Sequence, residues 1–114
     1  MPPPPAKGEV WIAQLDPVRG HEQGGQRPVL VLSTDRFNRG PSGLVVVAPF
    51  TRTERRVPLH LRVEPPEGGL KDVSYLMCED IRSISVERLV SRWGEVSPET
   101  MLEAAARLRY LLVL

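Results

Sequence analysis

The chain of 114 residues has the length of one ordinary domain and is too short for two independent hydrophobic cores. Its hydrophobic content of 41% excludes global disorder, and its formal net charge of +1 gives no sign of a polyanionic partner. Aromatic residues make up only 5%, which argues against recognition by a broad stacking platform. Every basic residue except Lys7 and Lys71 is an arginine. This bias suits phosphate binding, but genome composition or a hot habitat explains it equally well.

The sequence predicts no metal site and no cofactor. The single cysteine, Cys78, cannot form an internal disulfide and lies in an apolar run, so we expect a buried structural thiol rather than a nucleophile. Only His21 and His60 are available beside it, which is too few for a Cys- or His-rich metal centre. No stretch approaches the ~20 apolar residues of a membrane span, and prolines stand where a signal peptide needs an apolar run. We therefore expect a cytoplasmic protein that does not contact membranes.

The predicted elements are several short strands followed by one helix. Residues 1–7 are rich in proline and predict a disordered or polyproline tail, so the folded domain is expected to span residues 8–114. Strands are predicted, in chain order, over residues 9–15, 28–33, 44–50, 59–63 and 73–78, with further short strands around Ile81, Ile84, Leu89 and Val90. The sequence thus predicts a mainly β fold, a small antiparallel barrel closed by a C-terminal helix.

Three local patterns give more detail. The apolar run 28–33 predicts a strand buried on both faces, whereas 59–63 alternates and should bury Leu59, Leu61 and Val63. Ser97 can cap the last helix, with Pro98 at its first position. The apolar face of that helix is predicted to contain Met101, Ala105, Leu108 and Leu112.

The segment 20–33 contains the residues best suited to chemistry. A glycine-rich polar loop runs directly into the apolar strand, and Arg27 lies at the junction, where a rigid strand can hold its guanidinium. His21, Glu22 and Gln23 lie on the loop before it. A base and an anion-binding group on adjoining backbone suit phosphodiester chemistry, although Glu22 and Arg27 could equally form a plain surface ion pair.

Four segments in register resemble the MazF/PemK (Kid-like) family of toxins. They are Gly8-Glu9-Val10-Trp11 with Leu15-Asp16-Pro17, the motif Gly20-x-Glu22-Gln23-x-Gly25-x-Arg27-Pro28-x-Leu30-Val31-Leu32, the run 46–51 ending in Pro49-Phe50-Thr51, and the run 79–84. The resemblance extends from about Gly8 to the end of the chain. It implies an SH3-like barrel of the MazF/CcdB type that works as a homodimer and cleaves single-stranded RNA at short specific sequences without metal.

The resemblance also implies roles for individual residues. Arg27 and Thr51 correspond to the catalytic Arg and Thr of the family, and Glu22 corresponds to a loop Glu that some members use as the general base. His21 competes with Glu22 for that role, because an imidazole titrates near neutral pH. The RNA-binding candidates are His21, Gln23, Ser33, Arg52, Arg55, Arg56, Glu79 and Asp80. Asp80 stands where Gln is commoner in the family, so the cleaved sequence cannot be transferred from relatives.

Family resemblance further implies a small antitoxin as partner, whose acidic C-terminal segment covers the active surface, and DNA contact only through that complex. Two other functions remain open on the same fold. One is a gyrase-inhibiting toxin without enzymatic activity, and the other is an RNA- or DNA-binding barrel. The presence of both Arg27 and Thr51 favours the nuclease, and the near-neutral net charge argues against a purely structural nucleic-acid binder.

Overall fold

In the part of the chain that the structure describes, seven antiparallel strands precede a C-terminal helix. The structure is a computed structural model that describes residues 4–15 and 25–114. The strands are β1 (Glu9–Gln14), β2 (Gln26–Val31), β3 (Leu44–Thr51), β4 (His60–Val63), β5 (Ser74–Met77), β6 (Arg82–Ser85) and β7 (Leu89–Glu95), and the helices are α1 (Asp35–Asn38) and α2 (Pro98–Leu112). The strand order is β4-β5-β3-β2-β1-β7, with β6 also paired to β3. The predicted mainly β fold with a terminal helix is confirmed, and the sheet is barrel-like rather than a closed barrel.

The central strand β2 separates two apolar cores. Leu30 belongs to one core, which lies beneath α2, and Val29 and Val31 belong to the other. All three side chains are fully buried. Side chains alternate between the faces of a strand, so a strand buried on both faces needs an uninterrupted apolar run. The prediction of two buried faces is therefore confirmed.

Strand β3 changes partner along its length. Its first half, from Leu44 to Val47, pairs with β6, whereas Phe50 and Thr51 pair with β5. Pro49, which has no N–H, lies between the two paired segments and still keeps its register with Val29 of β2. This change of partner brings the end of β3 beside a part of the chain that follows it by more than twenty residues.

Helix α2 begins and packs as its sequence indicates, with one shift. The Ser97 side chain accepts a hydrogen bond from the Thr100 N–H, as an N-cap residue should. Met101 and Leu108 pack on the first core as predicted, but Ala104 rather than Ala105 is fully buried. Leu112 is 50% exposed. A helical period of 3.6 admits either set of positions, and the packing of α2 against residues 78–80 and β4 decides between them.

A carboxylate from elsewhere in the chain fixes the start of α2. One oxygen of Glu67 accepts the Ser97 N–H at 2.9 Å and also accepts the Thr100 hydroxyl. Burial raises the pKa of Glu67, but the hydrogen bonds from Thr100 and Ser97 outweigh burial and hold that pKa below its ordinary value. Glu67 thus stays ionised and ties the helix to the sheet.

Two sequence predictions need correction. The predicted tail does not include residues 5–7, because Pro5 is buried, its carbonyl accepts from Asn38, and the Lys7 N–H donates to Asp35 at 2.8 Å. In β4, His60 is buried although the alternation placed it outside. A polar side chain can be buried when it has a hydrogen-bond partner, and Glu79 supplies one for Nε2 of His60, whereas Nδ1 has no partner among the described residues.

Within residues 4–15 and 25–114, no helix is both long and apolar enough to cross a membrane.

Candidate active site

An open cleft of about 780 Å³ lies where β1, β2 and the end of β3 meet β7 and the segment before β5. Its lining residues are Ile12, Gln26, Arg27, Pro28, Phe50, Thr51, Arg52, Thr53, Arg55, Leu70, Lys71, Asp72, Ser74 and Trp93. The cleft therefore brings together four of the predicted site residues, namely Arg27, Thr51, Arg52 and Arg55. All four donate hydrogen bonds, and three are cations, so the cleft suits an anionic ligand.

Arg27 is held at the second position of β2 with its guanidinium directed toward the end of β3. One terminal nitrogen donates to the carbonyl oxygen of Phe50 at 3.3 Å, next to Thr51. The buried Nε has no hydrogen-bond partner among the described residues. A buried donor without a partner is costly unless a ligand uses it. Arg27 is therefore arranged to bind an acceptor beside Thr51.

The charges around Arg27 favour an incoming anion. Burial lowers the pKa of Arg27, Asp80 raises it, and the neighbouring charges of Arg55 and Arg52 lower it further. The guanidinium stays charged because the ordinary pKa of arginine is so high. The negative charge of a phosphate bound among the three arginines would offset both their mutual repulsion and the cost of burying the Arg27 guanidinium.

Thr51 supplies a hydroxyl at the floor of the cleft. The side chain is buried, and its oxygen accepts the Thr53 N–H at 3.2 Å. This bond uses the oxygen as an acceptor and leaves the hydroxyl hydrogen to be donated. Pairing with Tyr75 of β5 fixes the backbone of Thr51. The Thr51 hydroxyl and the Arg27 guanidinium can therefore donate to the same phosphate.

The loop after β3 adds positively charged side chains that are exposed to solvent. Arg52, Arg55 and Arg56 are exposed, and Arg52 and Arg55 line the cleft whereas Arg56 does not. Arg52 lies 3.6 Å from Asp72 in a pair that is exposed on both sides. Such a surface pair contributes little to stability and can open for a ligand.

Three other RNA-binding candidates lie outside the cleft. Ser33 follows the opposite end of β2 from Arg27, where its hydroxyl bonds to Asn38 and accepts the Val46 N–H at 2.9 Å. The position of Ser33 thus supports a role in connecting α1 to β3 rather than a contact with RNA. Glu79 pairs with buried His60 at 2.7 Å. Asp80 is exposed and near enough for its charge to raise the pKa of Arg27.

The candidates His21, Glu22 and Gln23 lie outside the described residues. The described ends of their segment are joined by a hydrogen bond from the Leu15 N–H to the Gly25 carbonyl at 3.0 Å.

The structure adds cleft residues that the sequence did not assign to it. Lys71, Asp72 and Ser74 precede or begin β5, and Trp93 belongs to β7. An isolated tryptophan such as Trp93 is more often a core or interface residue. Its place in the cleft depends on the pairing of β7 with β1, and the place of Lys71 depends on the pairing of β5 with β3. No pattern in the local sequence indicates either pairing.

The predicted structural role of Cys78 fits its surroundings. The thiol is buried, and burial raises its pKa to about 11, so the reactive thiolate is scarce at neutral pH. Among the residues that the structure describes, no three His, Cys, Asp or Glu side chains are placed to hold a metal ion.

The molecule is thus a small barrel-like antiparallel domain with an arginine and a buried threonine at one cationic cleft, an arrangement that suits an anionic ligand. Residues 6–112 match the family model described as PemK-like, MazF-like toxin of type II toxin-antitoxin system. The chain belongs to this family. It is 33% identical over 109 residues to endoribonuclease EndoA of Bacillus subtilis (strain 168), a match that covers 95% of this chain and 94% of that protein.

Solved structures agree with this assignment. MazF from Deinococcus radiodurans is 28% identical and superimposes with a TM-score of 0.84 over 97% of this chain and 98% of that one. An endoribonuclease from a mycobacterial species, in complex with its cognate antitoxin, is 28% identical with a TM-score of 0.79 over 96% of each chain. The predicted family and the predicted barrel-like fold are both confirmed.

Proposed function

We propose that this protein is a toxin endoribonuclease that cleaves single-stranded RNA at short specific sequences. The observation that supports the proposal is the hydrogen bond from Arg27 to the Phe50 carbonyl, because it directs the guanidinium toward the end of β3, where Thr51 lines the same open cationic cleft. The relative EndoA is named an endoribonuclease, and its likeness to this chain covers nearly the full length of both. The cytoplasm, where RNA substrates are plentiful, is the proposed site of action.

RNA carries its own nucleophile for this reaction. The 2′-hydroxyl loses its proton and its oxygen bonds to the adjacent phosphorus, while the bond from phosphorus to the 5′-oxygen breaks and that oxygen takes up a proton. The products are a 2′,3′-cyclic phosphate and a 5′-hydroxyl. Arg27 and Thr51 donate to the phosphate oxygens, where negative charge grows in the transition state. No metal-activated water is needed, so we propose a metal-independent reaction without cofactor.

The general base is proposed to come from the loop before β2. Glu22 is the first candidate and His21 the second, since both side chains can accept a proton near neutral pH when their surroundings tune them. Arg52 and Arg55 bind phosphates that flank the cut, with Arg56 further along the strand. Gln23, Glu79 and Asp80 remain candidates for contacts with bases.

The test is to incubate the protein with a long single-stranded RNA in excess chelator and to map the ends produced. We expect cuts at a short recurring sequence, with cyclic phosphate and 5′-hydroxyl ends. Intact RNA would favour the gyrase-inhibiting toxin, and bound but uncut RNA would favour the binding barrel. Cleavage that stops with chelator and returns with magnesium would overturn the metal-independent mechanism.

A second partner is proposed for the same cleft. The mycobacterial relative was solved with its cognate antitoxin, and we propose that this chain likewise binds an antitoxin, through an acidic C-terminal segment that reaches the cleft arginines. Contact with DNA is proposed only within that complex. Adding an acidic antitoxin peptide to the cleavage assay should inhibit cutting, and excess RNA should relieve the inhibition. Inhibition that RNA does not relieve would place the peptide elsewhere.

We propose that the protein works as a homodimer, because large apolar side chains in α2 and in the two residues after it are uncovered. Tyr110 is 78% exposed, and Val113 and Leu114 are exposed still more. Exposed apolar side chains that form one patch are typical of an interface, and a symmetric dimer would bury them. We expect sedimentation to give the mass of two chains at micromolar concentration. Replacing both Tyr110 and Leu114 by Glu should yield the monomer, whereas Tyr110→Phe should not; a wild-type monomer would contradict the proposal.

A further inference from the structure

Trp93 is an aromatic side chain shared between the core and the cleft. It packs against the first apolar core, which contains Val10 and Leu30. It also lines the cleft that holds Arg27 and Thr51. The other tryptophan, Trp11, is buried, and its indole N–H donates to Glu9 at 2.9 Å. Trp93 is thus the tryptophan that a cleft ligand can reach.

The ring of Trp93 presents a face to a mobile cation. The ammonium of Lys71 lies 5.2 Å from the ring centroid, and Lys71 itself is exposed. The group that covers this face of the half-buried ring is thus an exposed lysine side chain and not a core residue. A contact of this kind at an exposed site is weak, so a flat ligand can displace the ammonium.

Close backbone packing holds this pair in place. A side chain at Gly69 would lie 2.2 Å from the Trp93 carbonyl oxygen, and one at Gly94 would lie 2.8 Å from the Gly68 backbone. Gly69 also has a φ of +71°, which L side chains rarely adopt. The segment leading to Lys71 therefore lies directly on β7, and the sequence permits this only because these positions lack side chains.

We propose that Trp93 and Lys71 form a nucleotide subsite, in which an RNA base stacks on the indole and the Lys71 ammonium moves to the neighbouring phosphate. The inference rests on the proposed function and deepens it. Strand β7 lies two strands from β2, about 10 Å across the sheet. Trp93 lies level with Val10 and Trp11 of β1, whereas Arg27 pairs with Ala13, so the two residues are also offset by about 7 Å along the strands. The stacked base therefore belongs to a nucleotide near the scissile phosphate held by Arg27 and not to the scissile position itself. Every base has a π face, so this subsite supplies affinity rather than base identity.

The first experiment compares variants in the RNA cleavage assay. Trp93→Leu keeps an apolar side chain against the core but removes the aromatic face, and we expect KM for RNA to rise about 5- to 100-fold with little change in kcat. Trp93→Phe should recover most of the loss. Trp11→Phe, a change in the buried tryptophan, should leave KM unchanged. Lys71→Gln should lower the slope of log affinity against log salt by about one.

The second experiment identifies the contacted base. In the RNA that the wild-type protein cleaves, single bases are removed one at a time to leave abasic riboses. At one position, loss of the base should lower the affinity of the RNA for the wild-type protein. The same loss should leave the affinity for Trp93→Leu unchanged, because that variant already lacks the contact. Binding of both proteins is read from the fluorescence anisotropy of a labelled, 2′-O-methylated, uncleavable copy of the RNA. Quenching of Trp93 fluorescence by the same RNA is followed separately in Trp11→Phe protein, where Trp93 is the remaining tryptophan.

The results distinguish failure of the proposed subsite from failure of the proposed function. If wild-type protein does not cut RNA, the proposed function fails, whereas quenching by the uncleavable RNA still reports on the subsite. Two results would overturn the subsite if wild-type protein cuts RNA. One is a Trp93→Leu variant with the wild-type KM. The other is that every abasic position lowers the RNA affinity of Trp93→Leu as much as it lowers that of wild type. Unchanged Trp93 fluorescence on saturation with RNA would overturn it as well.

Discussion

Replacing Arg27 by alanine is expected to lower the rate of RNA cleavage by roughly 10²–10³ while leaving the fold intact. The guanidinium supplies the main positive charge where the phosphorane develops negative charge. Its removal costs the fold little, because the buried Nε of Arg27 has no partner among the described residues and its bond to Phe50 is long at 3.3 Å. We therefore expect a melting temperature equal to or above that of wild type, since functional residues often cost stability.

The control for this prediction is Arg27→Lys. Lysine keeps the charge but lacks the planar fork that can donate two parallel hydrogen bonds, so we expect activity between the wild type and the alanine variant. The measurement is single-turnover cleavage of a defined RNA, with thermal unfolding of each variant beside it. Undiminished activity of Arg27→Ala would remove Arg27 from the mechanism. Loss of activity with a large fall in melting temperature would indicate a structural role instead.

An RNA with a single deoxyribose on the 5′ side of the mapped cut is expected to resist cleavage completely. The proposed nucleophile is the 2′-hydroxyl at this position, and deoxyribose lacks it. Binding should be nearly unchanged, because the cleft cations act on phosphates, which this substitution leaves in place. The substituted RNA should therefore act as a competitive inhibitor with an inhibition constant close to the KM of the unmodified RNA.

The matched substrate has its deoxyribose one nucleotide further along, on the 3′ side of the cut, and should be cleaved at close to the normal rate. Cleavage is followed on gels with end-labelled RNA, and the product ends are identified by their susceptibility to phosphatase and kinase. Cutting of the first substrate, or products with 5′-phosphate ends, would mean that water or a protein side chain attacks the phosphorus.

Local sequence was sufficient to predict the class of fold. The apolar run of β2 indicated a strand buried on both faces, and the cap chemistry of Ser97 and Pro98 located the start of α2. These features depend on residues close in the chain, where periodicity and capping act directly. Arg27 and Thr51 were identified by resemblance to the family, and the structure places both in one cleft.

The tertiary structure decided what depends on contacts between distant parts of the chain. Burial of His60 requires Glu79, nineteen residues further on, which no local pattern in β4 reveals. Ala104 is fully buried in place of Ala105 because of the way α2 lies against the sheet. Trp93 and Lys71 meet because β7 pairs with β1 and because Gly69, before Lys71, and Gly94, after Trp93, permit close packing. Hydrophobic patterns determine which residues are buried in each element, whereas the pairing of strands determines which of the remaining side chains share a site.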